Sequence, residues 1–185
     1  MFVRIKSPET QEEFAAMWRL NHRTFSDELG QHAPHADGML IDKLHAQNIY
    51  RIALSGEHLV GMISAHTGPF FSAVGHFGAL MEKEILPGKT GEIRLLAVEK
   101  SVRGSAVAIK LCAAISDALK DSGIEKVIIT GVASRKGFYQ ALGLRAIGAP
   151  VRDGAAIFYP MVGVLAEMRE RRKNLVQRLL REEKS

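Results

Sequence analysis

The residues that most clearly suggest chemistry lie at the start of a long predicted helix, in the run Arg103, Gly104, Ser105, Ala106, Val107 and Ala108. The first backbone N–H groups of a helix have no partner within it, and the helix dipole places partial positive charge at that end. Because most of these side chains are small, an anion can approach the backbone closely. Residues 103–108, called the cradle below, are therefore predicted to bind a phosphate or diphosphate.

The cradle resembles the coenzyme-A-binding motif of the GNAT superfamily of N-acyltransferases, which reads Gln or Arg, two residues, Gly, one residue, then Gly or Ala. Arg103 and Ala108 match its outer positions, and Ala106 stands where the family has its central glycine. Downstream, GFYQALGLRAIG (137–148) is similar to the family's second signature, with Leu144 in place of the last Phe. The two motifs occur in the family's order and at its separation, which implies a GNAT fold.

The resemblance implies acetyl-CoA or a longer acyl-CoA as co-substrate, and no metal. In the family, the thioester lies beside the strand that precedes the cradle, here 92–99. The backbone of four residues would contact the thioester and the pantetheine arm: Leu95, Leu96, Ala97 and Val98. Since no side-chain nucleophile is positioned, direct attack by a small primary amine in a ternary complex is expected.

Glu92 and Arg94 lie two residues apart on this strand and so share a face. Two charges in an otherwise apolar strand need partners, because burying them unpaired is costly. Glu92 can accept the amine proton, directly or through water, and Arg94 can hold the carboxylate of an acceptor such as an amino acid. The alternative is an ion pair at the edge of the sheet.

Tyr139, in the second signature, is the candidate general acid for the departing thiolate. The alternative is a tyrosine that only packs and forms a hydrogen bond beside the pantetheine arm. The family often has Asn and Ala where this chain has Val132 and Arg135, so side-chain contacts to that arm are not assumed. His32 and His35 form an H-x-x-H pair in a predicted loop, and no zinc site is expected there.

The N-terminal third is similar to the acyl-homoserine-lactone synthases and related N-acyl amino acid synthases, through WRLNHRTFSDELGQH (18–32) and IDKLHAQNIYRIAL (41–54). The comparison implies that Phe25 and Asp42 belong to the acceptor site and Glu92 is the base. Asn21 stands where these enzymes carry a key Arg, and Arg94 is one place off their strand Arg. The resemblance favours an acyl group longer than acetyl, drawn from coenzyme A or from acyl carrier protein, and argues against a true lactone synthase.

Hydrophobic periodicity and turn residues outline the elements that position these side chains. Strands are predicted at 2–6, 49–54, 58–65, 92–99, 126–131, 144–149 and 155–162. Helices are predicted from Ser7-Pro8 to about Leu29, and over 39–47, 105–122 and 134–142, with one short helix at 77–83 in a long connection. The expected fold class is α/β (α+β), a single GNAT-like domain over 1–164 whose mixed central sheet is flanked by helices.

Residues 165–185 are predicted to form a basic amphipathic helix, with Leu165, Met168, Leu175 and Leu179 on one face. Packing of that face on the domain or on a second subunit is expected, which leaves a homodimer open. A membrane-surface role is disfavoured because the segment mixes Glu with Arg and lacks Trp and Phe.

Composition narrows the function further. The 185 residues carry a formal charge of +5, which suits an anionic cofactor or the acidic acyl carrier protein. Nucleic acid is disfavoured because only 6% of the residues are aromatic and no basic stripe interleaves with them. The single cysteine, Cys112, is expected in the core of a cytoplasmic protein, and no membrane span is expected. The sequence thus predicts an N-acyltransferase, or alternatively a catalytically silent acyl-CoA-binding sensor or module of a larger enzyme.

Overall fold

The computed structural model describes the backbone of residues 2–182 and the side chains up to residue 173. The chain divides into two compact units. Unit 1 comprises Met1–His66, Ile93–Ala118 and Asp153–Ala156. Unit 2 comprises Thr67–Glu92, Leu119–Arg152 and Ile157–Ser185.

Unit 1 contains the N-terminal strands and the cradle. It contains β1 (Arg4–Lys6), α1 (Gln11–His22), a π-helical extension (Arg23–Glu28), β2 (Ile49–Ser55) and β3 (His58–His66). Strand β4 spans Thr90–Val98 and helix α4 spans Val107–Asp121, and the parts within Ile93–Ala118 belong to this unit. The strands pair in the order β1-β2-β3-β4, with β1 antiparallel to β2 and β2 antiparallel to β3. Helix α1 begins later than predicted, because Thr10 and Glu13 form a capping box that satisfies its first N–H groups.

The core of unit 1 fixes helix α4 against the sheet. Buried residues from α1, β2, β3 and β4 form one cluster: Met17, Leu20, Tyr50, Ile52, Leu54, Met62 and Ala97. A Cβ atom added at Gly61 would lie 2.9 Å from Leu111 Cδ1 and 3.2 Å from Val107 Cγ1. Only glycine permits α4 to approach β3 this closely, so the sheet sets the position of the cradle.

Unit 2 contains the remaining strands and helices. Its elements are α2 (Ser72–Phe77), α3 (Ala79–Glu82), the start of β4, β5 (Lys126–Val132), α5 (Lys136–Ala141), β6 (Arg145–Ala146), β7 (Val151–Asp153), β8 (Ala156–Val164) and α6 (Leu165–Glu182). The strands follow the order β4-β5-β8-β6, and β7 also pairs with β8. The parallel pairing of β4 with β5 covers Thr90, Gly91 and Glu92. Apolar side chains of α2 and α3 pack on β5 and β8 through Ala73, Met81, Ile128 and Val162.

The predicted mixed sheet with flanking helices and a C-terminal helix is confirmed. Two local predictions were wrong. The segment 39–47 contains only the single 3-10 turn His45–Gln47, because Leu40 donates its N–H to the Trp18 carbonyl oxygen instead of starting a helix. The connection 67–90 holds two short helices rather than one, separated by Gly78 with φ 55°.

The C-terminal segment and the cysteine agree with expectation where they are described. Leu165 and Met168 are buried, whereas the side chains of Leu175 and Leu179 lie outside the described residues. The domain boundary at residue 164 stays a prediction. Cys112 is a free, buried thiol. Within residues 2–182, none of the helices has the length and apolar character needed to span a bilayer.

Candidate functional site

The cradle is exposed at Arg103, Gly104 and Ser105, half-buried at Ala106 and Ala108 and buried at Val107, and several of its backbone N–H groups have no acceptor among the described residues. Gly104 adopts φ 86° and turns the chain into α4, and a Cβ atom added there would meet nothing within 4 Å. In the described part of the chain, no acceptor is found for the N–H groups of Gly104, Ala106, Ala108 and Ile109. These donors lie at the start of a 15-residue helix. The arrangement can bind an anion through the backbone.

The Arg103 side chain is held by protein groups. Its Nη1 and Nη2 donate to the two Glu28 carboxylate oxygens at 2.7 and 3.0 Å, and its Nε donates to the Val98 carbonyl at 2.8 Å. These hydrogen bonds from Arg103 hold the pKa of Glu28 below its usual range, and Lys100 and Arg23 act in the same direction. The guanidinium therefore joins the cradle to β4 and to the π-helical extension, and the free donors are those of the backbone.

A surface pocket of unit 1 lies beside this ion pair and is lined by Arg23, Asp27, Glu28, Glu99 and Lys100. Three of these five side chains are carboxylates, which disfavours a phosphate in the pocket itself. The backbone amides of the cradle are the better anion site.

Strand β4 is distorted where the sequence predicts the thioester. Leu95 has φ 50°, and it is the single non-glycine residue with positive φ in the described chain. A bulky residue rarely adopts this conformation, which costs roughly 1–3 kcal/mol and occurs mainly at functional sites. Leu95 and Leu96 are half-buried, whereas Ala97 and Val98 are buried. The turn at Leu95 re-aims the N–H groups of this segment, as a bulge does.

Arg94 and Asp42, both assigned to the acceptor site in the sequence analysis, form an ion pair, and that assignment stays a prediction. Arg94 Nη2 lies 3.1 Å from Asp42 Oδ1, and the exposed fractions of the two side chains are 14% and 5%. Asn48 Nδ2 donates to the other Asp42 oxygen at 2.6 Å and to the Tyr50 hydroxyl at 2.9 Å. The Tyr50 hydroxyl lies 3.1 Å from His45 Nδ1. We call these five residues the polar cluster: Asp42, His45, Asn48, Tyr50 and Arg94.

An aromatic wall borders the polar cluster. The ring of His45 lies 5.6 Å from that of Phe14 and 5.5 Å from that of Trp18, both edge-to-face. Burial raises the pKa of the Tyr50 hydroxyl above its usual range, and the hydrogen bond from Asn48 opposes this effect. Tyr50 is thus a neutral phenol at physiological pH, and its proton is available to His45 Nδ1.

Sequence reasoning missed His45, Asn48, Tyr50 and the aromatic wall. The sequence pattern gave little indication of these residues, because polar residues in 42–50 are typical of an ordinary loop that leads into a strand. Pairing of β2 with β3, and of β3 with β4, brings Tyr50 near Arg94 across 44 positions of sequence.

Several buried polar atoms of unit 1 lack a partner among the described residues. Three belong to the polar cluster and its wall: Arg94 Nη1, Asn48 Oδ1 and Trp18 Nε1. Three more lie on α1 and its π-helical extension: Asn21 Oδ1, Thr24 Oγ1 and Ser26 Oγ. Native proteins rarely leave such atoms unsatisfied, because each costs about 1–3 kcal/mol. Their concentration here indicates a site for a polar ligand.

Glu92 is committed to a structural contact. Its oxygens accept hydrogen bonds from the Ser72 N–H, the Ser72 hydroxyl and the Ala73 N–H, all at 2.8 Å, and 1% of the residue is exposed. The carboxylate therefore stabilises the start of α2. A substrate proton could reach it only by displacing one of these bonds, so its role as a base stays a prediction.

The other predicted side chains lie as follows. Tyr139 is half-buried on α5, and its ring packs on the Gly131 backbone, 3.2 Å from the ideal Cβ position. Phe25 lies in the π-helical extension and packs on the core cluster of unit 1. Asn21 donates from Nδ2 to the Leu40 carbonyl oxygen at 2.8 Å. The His35 N–H donates to His22 Nε2 at 2.9 Å.

Metal coordination finds no support in the described side chains, which contain no group of three or more His, Cys, Asp or Glu arranged to bind an ion. His32 and His35 are exposed.

Comparison with known proteins gives a family and a set of structural neighbours. The model of the acetyltransferase (GNAT) family matches residues 14–144. No curated protein matches the chain. The CoA-dependent acyl-homoserine lactone synthase BjaI, solved with SAM and isopentyl-CoA, superimposes with a TM-score of 0.74 and 18% identity, covering 93% of this chain and 88% of BjaI.

Two further solved structures are similar. The acyl-homoserine lactone synthase LasI gives a TM-score of 0.73 at 16% identity over 89% of each chain. FeeM, an N-acyl amino acid synthase from uncultured soil microbes, gives 0.72 at 18% identity, covering 92% of this chain and 94% of FeeM. At these identities the likeness establishes a shared fold.

Proposed function

This chain belongs to the acetyltransferase (GNAT) family, and from that premise we propose that it transfers an acyl group from acyl-CoA to a small primary amine carrying a carboxylate, such as an amino acid. The observation that carries the proposal is the pair of backbone features in unit 1. Free amides of the cradle can bind the diphosphate, and the distorted strand at Leu95 can bind the thioester carbonyl and pantetheine amides.

Leu95, Leu96, Ala97 and Val98 would contact the thioester end of the coenzyme. Gly104, Ser105, Ala106, Val107 and Ala108 would surround its diphosphate. Arg103 would act mainly by holding the cradle, because its guanidinium is already paired with Glu28. Coenzyme A, when bound, supplies an activated acyl thioester, and the protein supplies position and charge.

The polar cluster supports the choice of acceptor. Arg94 Nη1 is buried without a partner, and a carboxylate can accept its hydrogen bond. Asp42 keeps the Arg94 guanidinium oriented through the 3.1 Å ion pair. Phe25 would contribute an apolar surface at the edge of this site. An amine without a carboxylate would leave Arg94 Nη1 unsatisfied and should be a poor acceptor.

Sequence reasoning assigns the remaining steps to Glu92 as base and Tyr139 as general acid to the leaving thiolate. We retain the Tyr139 assignment as part of the proposal. An acyl group longer than acetyl, acyl carrier protein as a second donor, a homodimer and a cytoplasmic location also belong to the proposal, and each needs its own test.

The rival function is a domain that binds acyl-CoA without turning it over. One observation favours it: the predicted base, Glu92, has its oxygens occupied by Ser72 and Ala73. Such a protein would bind the coenzyme with the same cradle and leave amines untouched.

Calorimetry with acetyl-, octanoyl- and palmitoyl-CoA, followed by thiol-release assays over a panel of amines, separates the two functions. The transferase should bind at least one acyl-CoA and release thiol with amino acids, but not with the matching decarboxylated amines. Binding without release on any amine would establish the silent domain. Failure to bind every acyl-CoA would refute both.

A further inference from the structure

The polar cluster contains an acid–base pair that neither the sequence motifs nor the family match assigns to any role. Tyr50 is buried on β2, with 7% of its surface exposed. Its oxygen accepts from Asn48 Nδ2, and a protonated phenol has one hydrogen left to donate. The atom placed to accept it is His45 Nδ1, 3.1 Å away. The imidazole is half-buried and can exchange its proton with water.

The surroundings of His45 hold its ring beside Tyr50. Tyr50 on β2 contacts the ring directly, the Asp42 carbonyl oxygen in the preceding loop accepts the His45 backbone N–H, and Arg94 on β4 is paired with the Asp42 carboxylate. Helix α1 contributes the uncharged rings of Phe14 and Trp18, at 5.6 and 5.5 Å. Edge-to-face packing is an arrangement that aromatic rings favour, and it fixes the orientation of the imidazole.

A ligand is expected at this position because of the unsatisfied atoms. Arg94 Nη1 is a donor and Asn48 Oδ1 is an acceptor, and both are buried. A zwitterionic amino acid offers the complementary pair, a carboxylate for the guanidinium and an ammonium for the amide oxygen. The Asn48 assignment is supported by its 2.6 Å contact with Asp42, which requires the nitrogen on that side. An ammonium on Asn48 Oδ1 would share that amide with the Tyr50 hydroxyl, which accepts from Asn48 Nδ2 at 2.9 Å.

We propose that Tyr50 is a catalytic residue that takes the acceptor's amine proton and passes its own proton to His45. His45 accepts that proton and so acts on the substrate through Tyr50. The proposal rests on the acyltransferase function proposed above. It gives Tyr50 the step that the sequence predicts for Glu92, whose oxygens are occupied at the start of α2.

The step balances as follows. One N–H bond of the acceptor ammonium breaks, its proton moves to the Tyr50 oxygen, and the Tyr50 proton moves to His45 Nδ1. The freed lone pair forms the C–N bond to the thioester carbon, and the C–S bond breaks with its electron pair leaving on sulfur. The thiolate receives the second amine proton, and the imidazolium returns its proton to water. Asn48 holds both the ammonium and the phenol during the transfer.

The test is the pH dependence of kcat/KM for octanoyl-CoA and the best amino acid acceptor, measured from pH 5.5 to 10. With an internal base, the wild-type rate should level off at a pH below that at which the free amine titrates. In Tyr50→Phe and His45→Gln, only the small fraction of free amine in solution can react. The rate at pH 7 should fall at least tenfold, and it should keep rising with pH until the amine itself titrates.

His58→Gln is the matched control, because His58 is an exposed histidine on β3 of the same unit. It should keep the wild-type profile. Octanoyl-CoA affinity should be unchanged in Tyr50→Phe and His45→Gln, and each should still unfold in one cooperative transition, which separates a lost base from a lost fold. If one of these variants is unstable, the other still tests the proposal, because each variant by itself must show a rate that keeps rising with pH.

A wild-type plateau that persists in both Tyr50→Phe and His45→Gln would overturn the proposal. The proposal would also be overturned if the plateau of kcat/KM with pH were lost in Glu92→Gln and kept in Tyr50→Phe. A wild-type protein that acylates no amine would refute the proposed function itself, and the inference would fall with it.

Discussion

Placing a negative charge on the cradle tests the coenzyme site most directly. Gly104 is exposed, and an added Cβ atom would meet nothing within 4 Å, so a side chain fits there. Its φ of 86° strains any other residue, and Asn and Asp tolerate such angles better than most. Gly104→Asp and Gly104→Asn therefore share size and backbone strain and differ by one charge.

The expected difference follows from Coulomb's law. A carboxylate about 6–8 Å from a diphosphate of charge about −2, at an effective dielectric constant of about 60–80, is repelled by about 1–2 kcal/mol. At low salt this corresponds to about 5–30-fold weaker acyl-CoA binding by Gly104→Asp than by Gly104→Asn. In about 0.5 M salt the difference should shrink to about twofold, because the Debye length falls to about 4 Å.

Isothermal titration calorimetry with octanoyl-CoA gives the two dissociation constants at each salt concentration. Octanoyl-pantetheine, which lacks the diphosphate, is the control ligand and should bind both variants equally. Equal octanoyl-CoA affinity of the two variants at low salt would show that the diphosphate lies elsewhere, and the backbone argument would be wrong. A salt-independent difference would also refute it.

Three further outcomes are expected, one for each of three substitutions. Glu92→Gln should lower the free energy of unfolding by about 2 kcal/mol in urea titrations, because it weakens three hydrogen bonds at the start of α2; an unchanged value would contradict the structural role. Gly61→Ala should cost about 1–3 kcal/mol by the same measurement and weaken acyl-CoA binding, since the new methyl lies 2.9 Å from Leu111; wild-type stability would mean α4 can shift freely. Arg103 holds the pKa of Glu28 low, so their ion pair stabilises the fold at neutral pH and is lost as the pH falls through that lowered pKa. Glu28→Gln should thus be less stable than wild type by about 1 kcal/mol at pH 7 and should approach it near pH 3, and parallel stability curves would refute the assignment.

The cradle could be predicted from sequence because its chemistry is local. Small residues from Gly104 to Ala108 at the start of a helix leave backbone N–H groups free, whatever the helix packs against. Among the described residues, four N–H groups at this helix start have no acceptor. The order of the main strands and helices followed from hydrophobic periodicity, but the strand Val151–Asp153 was not predicted, the strand predicted at 144–149 covers only Arg145–Ala146, and residues 39–47 do not form a helix. The start of α1 was misplaced because the Thr10–Glu13 capping box competes with the Ser7-Pro8 signal three residues earlier.

The sequence assigned Asp42 and Arg94 separately to an acceptor site, and it predicted neither their ion pair nor the rest of the polar cluster. His45, Asn48 and Tyr50 carry no spacing that marks them, and Glu92 and Arg94 look equivalent on one strand. The fold separates them: Glu92 stabilises α2, and Arg94 joins a network in which donors and acceptors remain unpaired.

The sequence by itself determined where backbone N–H groups are left without partners. This depends on a glycine, a run of small side chains and a helix start, and these features are neighbours along the chain. Tertiary structure alone decided which side chains form the polar cluster. Pairing of β2, β3 and β4 brings residues 42–50 to Arg94. Side-chain hydrogen bonds depend on distances of about 3 Å, and only the packed sheet fixes those distances between segments so far apart in the chain.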